Sequence, residues 1–360
     1  MNTNGTLFMI CAFVIAFAFS FASTPIVTQL AFKIGAVDVP KDNRRMHKKP
    51  IPRLGGLAII FGFTVALLCV GNGFTRPNIA TLIGAFIIAV MGVIDDCKDL
   101  DAKVKFIIQI IAALIVIYGG DVKITVFTNP NIMSANPYII LPEWLSVTGT
   151  VLWIVFITNA VNFIDGLDGL ATGVSAIMSV SLVFISVRTG EASIALIGMA
   201  LMGACFGFLP FNFNPAKIFM GDTGSTFLGF MLASLSVQGV FKSYAVISFA
   251  VPLLILGLPL FDAAFAMIRR ILTGKNPMSA DRGHLHHRLI DMGFSQKQTV
   301  FILYAISGVL GISAVLLAES GTLRAIILIL CVLILLLIGS MLGKSHHSQG
   351  TERYGENEEN

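Results

Sequence analysis

Charged residues are scarce in this sequence, because Asp, Glu, Lys and Arg together make up only 12% of its 360 residues. Soluble proteins carry about 25% charged residues. A chain this poor in charge cannot cover a water-facing surface with polar groups, which excludes a water-soluble globule. Together with the 56% hydrophobic content, the scarcity predicts that lipid surrounds most of the chain.

Cysteine is also sparse. The five cysteines stand singly, mostly in apolar stretches, and none forms a C-x-x-C pair. This pattern excludes a disulfide framework and a cysteine-based metal site. The net charge of +4 is too small to favour nucleic acid as a partner.

Long apolar runs, in contrast, are abundant. About eleven are long enough, or nearly so, for a membrane-spanning helix of about 20 residues. The sequence therefore predicts an all-α polytopic membrane protein, with one transmembrane domain over 1–343 and a disordered cytoplasmic tail over 344–360. The runs lie at 7–32, 54–70, 78–94, 104–119, 145–161, 170–187, 192–209, 224–239, 244–266, 299–318 and 323–342.

The distribution of lysine and arginine predicts the orientation. With the N-terminus outside and the C-terminus cytoplasmic, 19 of the 24 basic residues fall on the inner side, which is a strong positive-inside signal. The outer stretch 120–143 alternates apolar and polar residues and predicts a short hairpin. The five outer basic residues are Arg76, Lys123, Arg188, Lys242 and Arg324.

Most aspartates and four of the six histidines fall at or beyond the predicted cytoplasmic ends of the helices. An ion-coupled transporter keeps its carboxylates near the bilayer midplane. The observed distribution favours instead an enzyme that joins a cytosolic polar molecule to a membrane lipid. Asp262, inside the ninth run, is expected only to pair with Arg269 or Arg270.

The first acidic cluster closes the third run. Asp95 and Asp96 lie four and three residues before Asp99, so a continuing helix places two or three carboxylates on one surface. Such charges need protons, lysine or a divalent cation to neutralise them. A solvated helix end balanced by Lys98, Lys103 and Lys105 explains the cluster equally well.

The second cluster places Asn159, Asn162, Asp165 and Asp168 three residues apart between apolar helices. This spacing keeps the four side chains roughly on one helical stripe. Because charge in hydrocarbon is costly, the stripe must face a cavity and find partners elsewhere in the chain. Amide and carboxylate oxygens are ligands suited to magnesium.

The third cluster is a short loop that enters a helix. Asp222 and Thr223 are candidate N-caps of that helix. Capping does not explain Asn212, Lys217 and Phe219 in the same loop, since an amide and an aromatic ring are what a nucleobase pocket uses.

Two basic segments on the predicted inner side also carry candidate binding residues. The first contains Arg44 and His47, and it is typical either of a topology-setting loop or of an anion site. The second contains three histidines, which could suggest zinc. Its flanking arginines favour an anion, and we expect contact with a diphosphate or a sugar. Its key residues are His284, His286, His287 and Arg288.

Together these motifs resemble the polyprenyl-phosphate N-acetylhexosamine-1-phosphate transferases over roughly 20–340. The closest likeness is to the bacterial undecaprenyl-phosphate N-acetylglucosaminyl-1-phosphate transferases, which start teichoic acid, O-antigen or related envelope glycans. The motifs are DD-x-x-D from Asp95, N-x-x-N-x-x-DGLDGLA from Asn159, N-P-A-K-x-F-M-G-D-x-G-S from Asn214, R-x-H-x-x-P-x-P-R-x-GG from Arg45 and H-x-HH-R from His284.

The resemblance implies transfer of N-acetylglucosamine-1-phosphate from UDP-N-acetylglucosamine to undecaprenyl phosphate at the bacterial cytoplasmic membrane. It implies Mg²⁺ as cofactor, with Mn²⁺ as a substitute, and a homodimer. Two alternatives stay open: a phospho-N-acetylmuramoyl-pentapeptide transferase and a cation-coupled transporter. Direct attack by the lipid phosphate and an aspartyl-phosphate intermediate are both compatible with the sequence.

The resemblance also implies roles for individual residues. Asp222 and Asn162 would bind the metal, and Asp165 would lie close by. Lys105 would hold the lipid phosphate, which Asp95 and Asp96 would orient or deprotonate. The uracil ligands would be Asp168, Asn212 and Phe219, and the ligands of sugar and diphosphate would be His284, His286, His287 and Arg288, with Arg44 and His47.

Overall fold

The computed structural model describes residues 3–39, 50–128, 136, 138–241, 250–274 and 283–319. These residues form helices, apart from two short antiparallel strand pairs and the connecting turns. The helices are α1 Thr3–Ile34, α2 Gly56–Val70, α3 Arg76–Lys98, α4 Ala102–Leu114, α5 Glu143–Phe163, α6 Leu170–Arg188, α7 Ala192–Asn212, α8 Gly221–Ser236, α9 Ala250–Ile255, α10 Gly257–Leu272, α11 Leu285–Asp291 and α12 Gln296–Glu319.

The all-α polytopic architecture is confirmed. Within the described ranges, seven helices are long and apolar enough to cross a membrane, and α2 is a shorter apolar helix. The predicted run 323–342, the first part of 244–266 and the tail 344–360 lie outside these ranges. The total of about eleven spans, the orientation and the single domain therefore stay predictions. The seven are Asn4–Ile34, Arg76–Lys98, Ala102–Gly119 (α4 and the π-helical turn Ile115–Gly119 that continues it), Glu143–Phe163, Leu170–Arg188, Ala192–Asn212 and Gln296–Ala318.

Helix α8 lies at the centre of the bundle, and every residue from Thr223 to Ser236 is buried. It packs against α3 and α5, with further contacts to α2 and α6. On one side α1 packs against α2 and α7, and on another α12 packs against α6 and α9. A helix surrounded in this way has a fixed position, so whatever its first turn presents is held rigidly.

Two glycines allow the first turn of α8 to approach its neighbours. A Cβ on Gly92 of α3 would overlap the backbone of Thr223, and one on Gly56 of α2 would overlap the backbone of Gly224. Glycine at these two positions therefore sets how closely α2 and α3 approach the start of α8.

Replacing Gly92 with alanine should lower the free energy of unfolding by about 1–3 kcal/mol, because the added methyl group must displace the backbone of α8. The matched control is Gly149→Ala in α5, where a Cβ would meet nothing within 4 Å. Alanine there should be neutral or slightly stabilising. Thermal unfolding in detergent measures both variants, and equal midpoints would contradict the predicted close contact.

Two short strand pairs lie outside the helices. The first pairs β1 (Val37–Asp38) with β2 (Ile51–Pro52), and the second pairs β3 (Val126–Thr128) with β4 (Tyr138–Ile140). The second pair confirms the hairpin predicted within 120–143.

Candidate active site

Lys105 joins two of the predicted clusters. Its ammonium lies at the start of α4, 3.0 Å from a carboxylate oxygen of Asp95 and 3.0 Å from one of Asp222. The Lys105 side chain is 25% exposed and that of Asp222 27% exposed, so solvent reaches the contact. Asp95 and Asp96 are buried, so the solvated-helix-end interpretation does not describe these two acids, and Lys105, one of the three lysines that it named, contacts Asp95.

Asp96 holds the first turn of α8. Its carboxylate accepts hydrogen bonds from the backbone N–H of Asp222 at 3.0 Å, from that of Thr223 at 3.0 Å and from the Thr223 hydroxyl at 2.6 Å. Asp96 is buried. The prediction that Asp222 or Thr223 caps this helix is wrong, because the capping carboxylate comes from α3.

Arg53 belongs to the same cluster, although sequence reasoning gave it no role. Its guanidinium donates to the carboxylate of Asp99 at 2.8 Å and to the backbone oxygen of Asp96 at 3.1 Å. Burial alone would lower the pKa of this guanidinium, but its bond to Asp99 and the nearby charges of Asp96 and Asp222 raise it. Arg53 is therefore a second fixed cation beside Lys105.

The segment that carries Arg53 is attached to the start of α8 by backbone hydrogen bonds. Phe219 N donates to Pro52 O, Gly55 N donates to Phe219 O, and Gly56 N donates to Met220 O. The end of the first basic segment is thereby fixed beside Phe219. The predicted ligands Arg44 and His47 lie outside the described residues.

The second cluster reaches the same end of α8 through Asn162. The Ser225 hydroxyl, one turn into α8, donates to the Asn162 side-chain oxygen at 2.6 Å. One turn earlier in α5, the Asn159 amide donates to the Gln109 side chain of α4 at 2.6 Å. The predicted polar stripe thus faces α4 and α8, and the structure brings Asn162 to the helix end that carries Asp222.

Asp165 follows α5 and is partly exposed. Although part of the residue is exposed, its carboxyl is surrounded by protein, and this burial raises the pKa of Asp165 well above its usual range, with the charges of Asp222 and Asp96 raising it further. Asp165 thus lies close enough to Asp222 and Asp96 for their charges to act on it.

The residues present fit a hard divalent ion. Among the described residues, no group of three or more histidine, cysteine or acidic side chains is arranged to hold a metal. Mg²⁺ does not need such a group, since it typically takes one or two carboxylates and fills its other positions with water and substrate phosphates. Asp222, Asn162 and Asp165 offer oxygen ligands of that kind, and a cation would relieve the repulsion between the Asp222 and Asp165 carboxylates.

Two of the three predicted uracil ligands hold the loop between α7 and α8. The carboxylate of Asp168 accepts from the Asn214 amide at 2.9 Å and from Ala216 N at 3.0 Å. Asn212 is buried, donates to Ile218 O and accepts from the Thr172 hydroxyl. Phe219 is partly exposed. Their part in base binding stays a prediction.

Helix α12 supports the same loops from the side. The Asn214 amide also donates to the Gln296 side chain at 2.7 Å, and the Tyr304 hydroxyl donates to Gly169 O at 2.5 Å. Sequence reasoning missed both α12 residues, because Gln296 stands among polar residues just before the predicted run 299–318 and Tyr304 stands inside that apolar run.

The histidine segment docks beside Asp165. The ring of His286 is buried against Gly166, where a Cβ would overlap it. The rings of His284 and His286 are nearly parallel at 5.8 Å, and those of His286 and His287 are 4.2 Å apart. The structure thus brings these three predicted ligands to the loop between α5 and α6, with Arg288 one residue further along α11.

Asp262 has different partners from those expected. Its carboxylate lies 2.9 Å from His284 Nδ1 and accepts from Leu285 N at 2.7 Å. Arg269, one of the two expected partners, donates to Gly283 O at 2.9 Å. Both contacts tie the histidine segment to α10.

Neutral His286 should make the folded protein sensitive to acid. Burial, with a smaller effect of nearby His287, lowers the pKa of His286 from 6.5 to about 3. The unfolded chain takes up this proton near pH 6.5 and the folded chain does not. The stability linked to this group is therefore full above pH 6.5 and is lost as the pH falls, by up to about 1.4 kcal/mol per pH unit.

Thermal unfolding of wild type and His286→Gln between pH 7 and 5 tests this. The midpoint of the variant should fall less steeply with acid than that of wild type. His287→Gln, which leaves the burial of His286 in place, is the control and should keep nearly the wild-type slope. If the midpoint of His286→Gln fell with acid as steeply as that of wild type, the His286 ring would not be buried in its neutral form.

Fold and site together define a class: a multi-pass membrane protein with a cluster of fixed cations and acids at one helix end, suited to phosphate-bearing substrates. The sequence profile of glycosyl transferase family 4 matches residues 78–240. The chain belongs to this family, as the motifs indicated.

Curated relatives agree with this placement. A protein of Bacillus subtilis named probable undecaprenyl-phosphate N-acetylglucosaminyl 1-phosphate transferase is 42% identical over 91% of this chain and 89% of its own. A decaprenyl-phosphate N-acetylglucosaminephosphotransferase of Mycobacterium tuberculosis is 36% identical over 82% of this chain and 78% of its own. The undecaprenyl-phosphate alpha-N-acetylglucosaminyl 1-phosphate transferase of Escherichia coli K12 is 28% identical over 81% and 78%.

Proposed function

We propose that this protein transfers N-acetylglucosamine-1-phosphate from UDP-N-acetylglucosamine to undecaprenyl phosphate, giving N-acetylglucosaminyl-diphospho-undecaprenol and UMP. This reaction would be the first membrane step of an envelope glycan such as a teichoic acid or O-antigen, at the bacterial cytoplasmic membrane. The observation that carries the proposal is the bridge from Lys105 to Asp95 and Asp222, with Arg53 beside it.

In this reaction an oxygen of the lipid phosphate attacks the phosphorus that bears the sugar. A new P–O bond forms, the bond from that phosphorus to the bridging oxygen breaks, and UMP leaves with the electron pair. One phosphoanhydride replaces another, so no ATP is needed. The main barrier is the approach of one anion to another, and fixed cations lower it.

Lys105 suits the lipid phosphate because it lies at the start of α4 and is reached by solvent. Asp95 would orient that phosphate. The lipid phosphate is already largely ionised near neutral pH, since phosphate monoesters have a second pKa near 6. We therefore favour positioning over proton abstraction for Asp95, Asp96 and Asp165.

Asp222 and Asn162 would hold Mg²⁺, with Asp165 near them. When bound, the ion would neutralise charge on the diphosphate and on the leaving UMP. Phe219, Asp168 and Asn212 would form the uracil site, and His284, His286, His287 and Arg288 would meet the sugar and diphosphate. An N-terminus outside, about eleven spans and a homodimer complete the proposal.

The test is an assay of purified protein in detergent with undecaprenyl phosphate, Mg²⁺ and UDP-N-acetylglucosamine. Chromatography should detect UMP, and mass spectrometry the lipid-linked sugar diphosphate. Absence of UMP with this donor would overturn the proposal. Product from UDP-N-acetylmuramoyl-pentapeptide alone would support the muramoyl-pentapeptide alternative, and uptake into proteoliposomes without UMP would support a transporter.

A further inference from the structure

Asp262 is a buried acid that the proposed chemistry leaves without a role. It lies on α10 between the buried residues Leu258 and Ala266, and its side chain is only 6% exposed. Its two carboxylate oxygens make separate contacts outside α10. One lies 2.9 Å from Nδ1 of His284, and the other accepts from Leu285 N at 2.7 Å.

This contact sets which ring nitrogen of His284 carries a proton. An ionised carboxylate only accepts hydrogen bonds, so Nδ1 must donate and carry hydrogen. That holds for the neutral ring and for the protonated ring alike. Nε2 is then the ring nitrogen available to a ligand.

The hydrogen bond from Leu285 N, at the start of α11, does not by itself explain why residue 262 is charged. Asparagine accepts a hydrogen bond from a backbone N–H such as that of Leu285 about as well as aspartate does. A carboxylate costs more than an amide to bury. An amide cannot reliably reproduce the contact between the Asp262 carboxylate and Nδ1 of His284. The charge of Asp262 is therefore useful for that contact.

Other contacts hold the backbone and side chains next to His284 in place. Arg269 donates to Gly283 O, immediately before His284, and the ring of His286 packs against Gly166 beside Asp165. The ring of Phe163 lies 5.9 Å from that of His284. Backbone and rings on both sides of His284 are thus held in place.

We propose that Asp262 is a positioning residue that holds His284 with Nδ1 protonated and Nε2 directed toward the nucleotide sugar. The proposal rests on the proposed function, since the nucleotide sugar is the ligand that His284 would meet. Asp262 acts only through His284 and does not itself touch substrate.

The first test compares kcat and KM for both substrates in wild type, Asp262→Asn, His284→Ala and the double variant. Asp262→Asn should lower kcat/KM for UDP-N-acetylglucosamine about tenfold or more, because a misdirected ring loses its contact. Its KM for undecaprenyl phosphate should stay within about twofold of wild type. The double variant should be no worse than His284→Ala alone, because a residue that acts through another adds nothing once the other is gone.

The matched control is Asp291→Asn, an exposed acid at the end of α11, which should behave as wild type. Effects of Asp262→Asn and His284→Ala that multiply would show a separate structural role and would overturn the proposal. So would an Asp262→Asn variant that matches Asp291→Asn. No UMP from wild type would instead refute the proposed function.

The second test does not depend on the folding of any Asp262 variant. Wild-type protein labelled with ¹⁵N-histidine contains six histidines, and the signals missing from His284→Ala assign the ring in question. A proton on Nδ1 is expected. A neutral ring that carries its proton only on Nε2 would overturn the proposal whether or not the enzyme is active.

Discussion

Replacing Lys105 with alanine should reduce UMP formation by about 10³-fold or more, the scale of loss when a fixed group that stabilises transition-state charge is removed. Lys105 is the cation between Asp95 and Asp222. Without it, the two carboxylates repel the incoming lipid phosphate as well as each other. The loss should appear in kcat with saturating substrates.

Lys103→Ala is the matched control, since Lys103 lies on the same first turn of α4 with an exposed side chain. It should keep nearly full activity. Both variants should elute as folded protein from size exclusion in detergent, because the Lys105 contact is partly open to solvent and contributes modestly to stability. Equal activity of the two variants would remove Lys105 from the site.

Asp222→Asn should cause a loss of similar size, about 10³-fold in kcat. Asparagine has nearly the same shape, and the backbone N–H that donates to Asp96 is unchanged. The substitution removes the negative charge that pairs with Lys105 and that would bind Mg²⁺. The fold should therefore survive while the chemistry does not.

The same UMP assay, repeated over a range of Mg²⁺ concentrations, measures this prediction. Asp121→Asn, an exposed acid in the predicted outer stretch 120–143, is the control and should respond to Mg²⁺ as wild type does. If Asp222→Asn turned over normally at low Mg²⁺, the metal-ligand proposal for Asp222 would be wrong.

Sequence patterns predicted the elements well where one physical signal dominates. Long apolar runs gave the helices because backbone groups in lipid must be satisfied within the helix. The alternation around Val126 gave the hairpin. The three-residue spacing of Asn159 and Asn162 predicted a stripe that faces a cavity and finds partners elsewhere in the chain, and the two amides do find partners, in α4 and α8.

Partners across the chain could not be predicted in this way. Periodicity shows which face of a helix a side chain occupies but not what lies opposite. In the sequence Asp96 is one of three acids within five residues, yet it differs from Asp95 because it accepts from the backbone of Thr223, 127 residues later. Asp262 was assigned to arginines on its own helix, because nothing in the sequence shows that His284 packs against α10.

The long separation between Asp96 and its partners has a consequence for biogenesis. The backbone groups that it binds lie 126 and 127 residues further along the chain. At about 5–20 residues per second, a ribosome needs about 6–25 s to make that stretch. During this interval the carboxylate at the end of the newly inserted α3 lacks the backbone partners that it has in the finished fold, and it gains them only when α8 arrives. Correct assembly of the nascent chain is thus coupled to late insertion of one central helix.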